Sequence, residues 1–355
     1  MEKILMKGNE AIGAAAINAG CLYYYGYPIT PQSELLEYMA VNLPKAGGVF
    51  LQSESELAGI SMVYGTAATG KRVMTSSSSP GFSLMQEGLS YMASAGLPAV
   101  VVDISRGGPG LGRITPSQSD YFQATKGGGH GDYRLLVFAP ASVQEMSSLT
   151  ALAFELADKY RMPALILGDG IVAQMMEPVE IQETAVMNEA GEKDWAATGN
   201  ANGKQHLVLS APFTDPELIT LNQNLSNKYR LIKEREPRIE EFMSDDAEIL
   251  IVAYGIVSRF SKAAIRTLRA EKIKVGLIRP ITLFPFPEKA IEKKSATAKA
   301  FLVVEMSEGQ MIEDVRLAVN GKTPVYWFGG GGGKLTPPDM IIAKVKEIVN
   351  GSECK

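Results

Sequence analysis

Leu22-Tyr23-Tyr24-Tyr25-Gly26-Tyr27-Pro28-Ile29-Thr30-Pro31 is the stretch on which the reading of this chain turns. The apolar run from Leu22 to Tyr25 reads as a strand, Gly26 breaks it, and Thr30 before Pro31 reads as the cap of a helix. A strand that passes through a short loop into a helix opens a βαβ unit. Outward from it the pattern repeats. Strands near Val49–Leu51, Arg72–Thr75, Ala99–Ile104, Leu135–Phe138 and Ala164–Leu167 alternate with helices, clearest at Ser55–Ala68 and Ser83–Ala95. The prediction is an α/β fold built on a parallel sheet. A second, smaller alternating block begins at Asp246, with strands at Ile249–Ala253, Val275–Ile278, Phe301–Val304 and Val325–Trp327. Between the blocks the chain turns polar, and Asp215–Met243 reads as a polar helix interrupted at Pro237. The expected organisation is one domain over residues 1–240, with a polar insertion at about 175–240, and a second over 246–355.

With 355 residues, 46% of them hydrophobic and 21% charged, the composition is that of a two-domain globular protein. The net charge of -4 is spread along the chain rather than gathered into a basic stripe, which argues against nucleic acid as a partner. No apolar run is long enough to span a bilayer, and the opening residues lack the apolar core of a signal peptide, so a cytoplasmic protein is expected. Cys21 and Cys354 are far apart, and His130 and His206 are the only histidines. Neither a zinc site nor an iron–sulfur cluster is expected within this chain.

Four segments that follow strands could carry chemistry, because ligands in open α/β sheets bind beyond the carboxyl ends of the strands. The first is Gly26–Pro31, where the Thr30 hydroxyl could hold a small anion or could simply cap the next helix. The second is Ser53-Glu54-Ser55-Glu56, where Ser53 and Glu56 have capping-box spacing, the bland reading. Its functional reading requires one carboxylate to face an apolar cleft and share a proton with a ligand nitrogen. The third is Thr75–Phe82, rich in hydroxyls. The fourth is the Gly-rich stretch opening at Ser105-Arg106-Gly107, where Arg106 is a candidate anion partner if it does not merely face solvent. Two partial matches fail. Gly168-Asp169-Gly170 is followed by isolated Asn200 and Asn202 rather than an Asn pair, and Gly329–Lys334 lacks the first Gly and the Ser/Thr of a phosphate loop, leaving a flexible turn. His130, in a Gly-rich loop, reads as solvated.

Taken together, the runs at 26–34, 75–88, 106–110, 246–255 and 279–287 resemble the alpha subunits of 2-oxoacid:ferredoxin oxidoreductases, closest to the branched-chain (2-oxoisovalerate) class and next to the 2-oxoglutarate class. The resemblance implies a pyrimidine-type thiamine-diphosphate-binding domain followed by a transketolase C-terminal-like domain. It implies Glu56, selected over Glu54 by its distance from Gly65, as the acid that hydrogen-bonds N1′ of the aminopyrimidine. Thr30 would contact the substrate, Arg106 would neutralise its carboxylate, and Tyr27 and Pro28 would shape the pyrimidine pocket. The resemblance further implies a beta subunit that holds the diphosphate and Mg2+, gamma and ferredoxin-like subunits with the iron–sulfur clusters, ferredoxin as electron acceptor, and coenzyme A and a 2-oxoacid, 3-methyl-2-oxobutanoate, as substrates. The remaining alternatives are a 2-oxoglutarate- or pyruvate-specific homologue, a thiamine enzyme that needs no ferredoxin, and a scaffold subunit that has lost catalysis.

Overall fold

A computed structural model describes residues 3–181, 193–199 and 206–351; Asn200, Asn202 and Cys354 lie outside them. Its larger sheet has eight strands. Their order is Thr282–Phe284, Leu136–Phe138, Pro163–Asp169, Ala99–Gly107, Val73–Ser77, Tyr23–Gly26 and Val49–Gln52, with Arg113–Pro116 pairing to Ala99–Gly107 off that path. From Leu136–Phe138 to Val49–Gln52 every pairing is parallel, so these strands all end on one edge. The central strands are buried along their whole length, as both faces of the sheet are covered by helices, and that burial selects the Val- and Ile-rich runs read from the sequence. A second sheet of five strands runs Ile239–Phe242, Val275–Pro280, Ile249–Val252, Ala300–Glu305 and Val325–Gly329.

Several short strands escape the sequence reading. Ile4–Lys7 pairs antiparallel with Met176–Val179, and the expected Gly-rich loop contains Arg113–Pro116 and the helix Tyr121–Thr125. Each of these strands has only four residues with partial exposure, too few for an alternation of period two to stand out. The polar helix is Asp215–Arg235, opened by a capping box between Thr214 and Glu217. Beyond Pro237 the chain is not helical as expected but forms the strand Ile239–Phe242, which joins the second sheet. Thr282–Phe284 crosses the other way and closes the edge of the first. No helix of the described residues is long and apolar enough to cross a membrane.

Polar contacts lock the two sheets together near the strand ends. Asp169 accepts from Val172 N at 3.0 Å and from Ile256 N at 2.8 Å, so one buried carboxylate caps helices from both halves. That is the physical role of the Gly168-Asp169-Gly170 run. Gln118 donates to the Tyr254 carbonyl at 3.0 Å and accepts from Met306 N at 3.1 Å. Arg279, 2% exposed, donates both terminal nitrogens to Glu145 at 2.7 and 2.6 Å, and its Nε lies 2.8 Å from Glu240. Against the opposing effect of burial, Arg279 holds the Glu145 carboxyl below its ordinary range. Arg279→Met strands two partly solvated carboxylates and is expected to lower stability by about 2 kcal/mol, read by urea unfolding at neutral pH. Since the folded Glu145 carboxyl sits low, this contribution is present above the unfolded carboxylate pKa and fades as pH falls through the folded one.

Candidate active site

The strand-end loops meet as the parallel register demands. Ser53 N donates to the Gly26 carbonyl at 2.9 Å, which ties the end of Val49–Gln52 to the end of Tyr23–Gly26. The helix Glu56–Ala68 starts immediately afterwards, and its cap is Ser55, whose Oγ accepts from Ala58 N at 3.3 Å. The expected capping box between Ser53 and Glu56 is not formed: Ser53 Oγ is buried without a partner, two positions before the cap Ser55 and too early in the turn to reach the helix amides. Glu54 is exposed, whereas Glu56 is 5% exposed and accepts a hydrogen bond from Ser77 Oγ at 2.9 Å. Among the described residues no cation pairs with Glu56.

The next strand, Val73–Ser77, feeds the helix Ser79–Ala95, and its first turn bridges the two halves of the constellation. Gly81 lies against the acid: a Cβ built there would sit 2.1 Å from Glu56 Oε1 and 2.0 Å from Ser77 Oγ. Ser79 lies against the fourth segment, its Oγ accepting from Arg106 N at 2.8 Å. The Arg106 side chain is 7% exposed. Its guanidinium donates to the Thr30 carbonyl at 2.9 Å and to the Leu111 carbonyl at 2.8 Å, while Nε is buried without a partner. Among the described residues it has no anionic partner.

Thr30, Tyr27 and Pro28 are exposed on the same edge, with the Tyr27 carbonyl accepting from Gln32 Nε2 at 3.1 Å. Thr30 does not cap the following helix, which starts at Ser33 after Gln32. The structure thus brings Arg106 to Thr30, and Glu56 to Ser77 and Gly81. Gln32, fully buried, escaped the sequence reading; it accepts from Ser76 Oγ at 2.6 Å, and Ser76 bonds Tyr24 OH at 2.5 Å. A Gln directly after a Pro-stiffened turn was the available signal.

A cleft of ≈ 690 Å³ opens on Arg106, Gly108 and Asp120 and is walled opposite by Glu308, Gln310 and Gly331 of the C-terminal half. The Gly329–Lys334 turn is therefore packed rather than free: Glu308 accepts from Gly331 N at 2.7 Å, and a Cβ on Gly333 would lie 2.7 Å from Thr115 Cβ. A larger cleft of ≈ 870 Å³ lies along Tyr229 and Arg230, away from Glu56 and Arg106. His130 is exposed, in keeping with a solvated residue.

A parallel sheet with a buried acid at a strand-end helix, followed by a second α/β sheet, is the architecture of the thiamine-diphosphate-binding enzymes. Residues 14–238 match the pyruvate flavodoxin/ferredoxin oxidoreductase thiamine-diphosphate-binding family, and residues 247–341 match pyruvate:ferredoxin oxidoreductase core domain II. The chain is 50% identical to the ketoisovalerate oxidoreductase subunit VorB of Methanothermobacter thermautotrophicus, over 98% of both chains. It is 36% identical to the 2-oxoglutarate synthase subunit KorA of Methanothermobacter marburgensis, over 97% of this chain and 98% of that one. Among solved structures it superposes on the 2-oxoglutarate:ferredoxin oxidoreductase of Magnetococcus marinus with a TM-score of 0.88 at 30% identity, covering 98% of this chain and 65% of that one. A split-gene transketolase shares the fold at a TM-score of 0.61 and 14% identity. The chain belongs to the 2-oxoacid:ferredoxin oxidoreductases, as a subunit of such an enzyme.

The residues fit the aminopyrimidine of thiamine diphosphate. A planar heterocycle needs a hydrogen-bonding carboxyl at one edge and open space over its face. Glu56 offers a buried carboxyl unopposed by a cation, Gly81 keeps the space beside it clear of a Cβ, and Ser53 Oγ and Ser78 Oγ are buried without partners.

Proposed function

We propose that this chain is the pyrimidine-binding subunit of an enzyme that converts 3-methyl-2-oxobutanoate and coenzyme A to an acyl-CoA and CO2, passing the electrons to ferredoxin. The observation that carries the catalytic reading is the buried Glu56 on the same strand edge as an Arg106 without an anionic partner. Similarity to ketoisovalerate oxidoreductase subunits supports the branched-chain substrate over 2-oxoglutarate. Thiamine diphosphate, when bound, supplies the electron sink that lets the substrate carboxylate leave as CO2. Glu56 holds a proton at N1′ of the aminopyrimidine, and Ser77 fixes the other face of its carboxyl. Arg106 pairs with the carboxylate of the 2-oxoacid, which offers the guanidinium an anion in place of the carbonyls it now bonds. Thr30 contacts the substrate from the adjacent loop, while Tyr27 and Pro28 bound the pyrimidine pocket.

In this reading a beta subunit holds the diphosphate and Mg2+, gamma and ferredoxin-like subunits complete the electron path, and the assembly works in the cytoplasm. The chain divides into a pyrimidine-binding domain over 1–240 and a transketolase C-terminal-like domain over 246–355, with the strands Ile239–Phe242 and Thr282–Phe284 exchanged near the boundary. The test is reduction of a low-potential dye by the assembled complex with each 2-oxoacid in turn. Fastest turnover on 3-methyl-2-oxobutanoate is expected, with iron and acid-labile sulfide in the complex. A clear preference for 2-oxoglutarate overturns the substrate, and absence of iron and sulfide overturns the ferredoxin reading.

A further inference from the structure

Asp103 interrupts the apolar run Ala99-Val100-Val101-Val102 of the central strand and is fully buried. Its Oδ1 accepts from Ser79 N at 2.8 Å, and its Oδ2 has no donor. Asp120, 6% exposed, approaches from the loop before Tyr121 and accepts from Ser79 Oγ at 2.5 Å and from Gln123 Nε2 at 2.8 Å. The two carboxyls meet at Ser79, one on its amide and the other on its hydroxyl. Two ionised carboxylates cannot share a dry site without a cation. None is supplied: among the described residues neither acid forms an ion pair, and the Arg106 guanidinium points at the Thr30 and Leu111 carbonyls. Two other buried acids of this region receive two helix amides each, against the single one from Ser79 at Asp103. Asp169 receives Val172 N and Ile256 N, and Glu305 receives Met311 N and Ile312 N, so helix amides support their charge.

Ser79 holds the centre of this arrangement. Its φ of +20° is unusual for a residue with a side chain, and three hydrogen bonds keep it there: its amide to Asp103, its hydroxyl to Asp120, and the Arg106 amide to its oxygen. Two residues on, Gly81 sets the space beside Glu56. We propose that Asp103 and Asp120 share a single proton and act through Ser79 as the positioning pair that aims Arg106 at the substrate carboxylate. This rests on the reading of Arg106 given above. Burial first, and then the neighbouring Asp120, holds the Asp103 carboxyl far above its ordinary range. Burial likewise raises Asp120, against the hydrogen bonds it accepts from Ser79 and Gln123. Tyr254 and Tyr121 are the other titratable groups beside the pair, both pushed up by burial, with Asp169 and Glu305 beyond them. The shared proton is kept at low pH and lost as pH rises. Its loss places two charges against Ser79, displaces the turn, and raises the KM for the 2-oxoacid on the basic side only.

The experiment uses the assembled complex and follows the KM for the 2-oxoacid, the KM for coenzyme A and kcat against pH. Asp103→Asn keeps the acceptor for Ser79 N and gives Asp120 a permanent donor, so the basic-side rise in 2-oxoacid KM disappears. Ser79→Ala raises that KM about tenfold at every pH with the coenzyme A KM unchanged. A wild-type pH profile in Asp103→Asn, or an equal effect of Ser79→Ala on both KM values, overturns the proposal. Arg106→Lys separates the two failures. A raised 2-oxoacid KM there beside a wild-type profile in Asp103→Asn sinks the acid pair alone, whereas an unaltered KM sinks the carboxylate reading and the positioning role together. If Asp103→Asn does not assemble, infrared spectra of the wild-type complex with isotope-labelled aspartate decide: a protonated aspartate band at neutral pH supports the shared proton, and its absence overturns it.

Discussion

Glu56→Gln in the assembled complex is expected to lower turnover by about three orders of magnitude while the subunits still associate. The amide is the same size as the carboxyl and can still accept from Ser77 Oγ, so the helix start and the Ser55 cap are undisturbed. What changes is the proton. An amide cannot hand one to a ring nitrogen and take it back, and Glu54, exposed and outside the cleft, cannot substitute. Steady-state dye reduction reads the loss and gel filtration reads assembly. Turnover within tenfold of wild type would remove Glu56 from the proton path, and with it the catalytic reading in favour of a scaffold.

Gly81→Ala should be nearly as damaging by a different route. The added Cβ would meet Glu56 Oε1 at 2.1 Å and Ser77 Oγ at 2.0 Å, distances that no real Cβ tolerates. Glu56 and Ser77 are both buried and bonded to each other, so neither can rotate away cheaply. The carboxyl is pushed off its station, or the first turn of Ser79–Ala95 lifts and carries the Ser79 contact to Arg106 with it. A loss of about a hundredfold in turnover is expected together with a destabilisation of about 2 kcal/mol. Dye reduction and thermal unfolding measure the two effects. A fully active Gly81→Ala enzyme would mean that the Glu56 station is not part of the site.

The strands and helices were legible in the sequence where they are long and central. Ala99–Gly107 and Pro163–Asp169 are buried on both faces, and burial of that kind leaves a run of Val, Ile and Leu that needs no partner to be recognised. Ile239–Phe242 and Thr282–Phe284 were not legible, because each is a short strand defined by the neighbour it pairs with across the two sheets. The resemblance pointed to Glu56 over Glu54, and the fold supplies the physical ground in their burial, since the helix start turns one inward and leaves the other in solvent.

By itself, then, the sequence determined the βαβ order, the positions of the strand-end loops and the family, since hydrophobic period and Gly/Pro punctuation are local properties of the chain. Only the tertiary structure decided which side chains act together. Asp103 and Asp120 converge on Ser79, Arg106 reaches back to Thr30, and Asp169 caps a helix that starts at Gly255. Each of these contacts spans a stretch of chain whose length carries no periodic signal. They exist because parallel strands deliver all of their loops to one edge, where burial drives most polar groups into partnership and leaves a few, Ser53 Oγ and Arg106 Nε among them, without one.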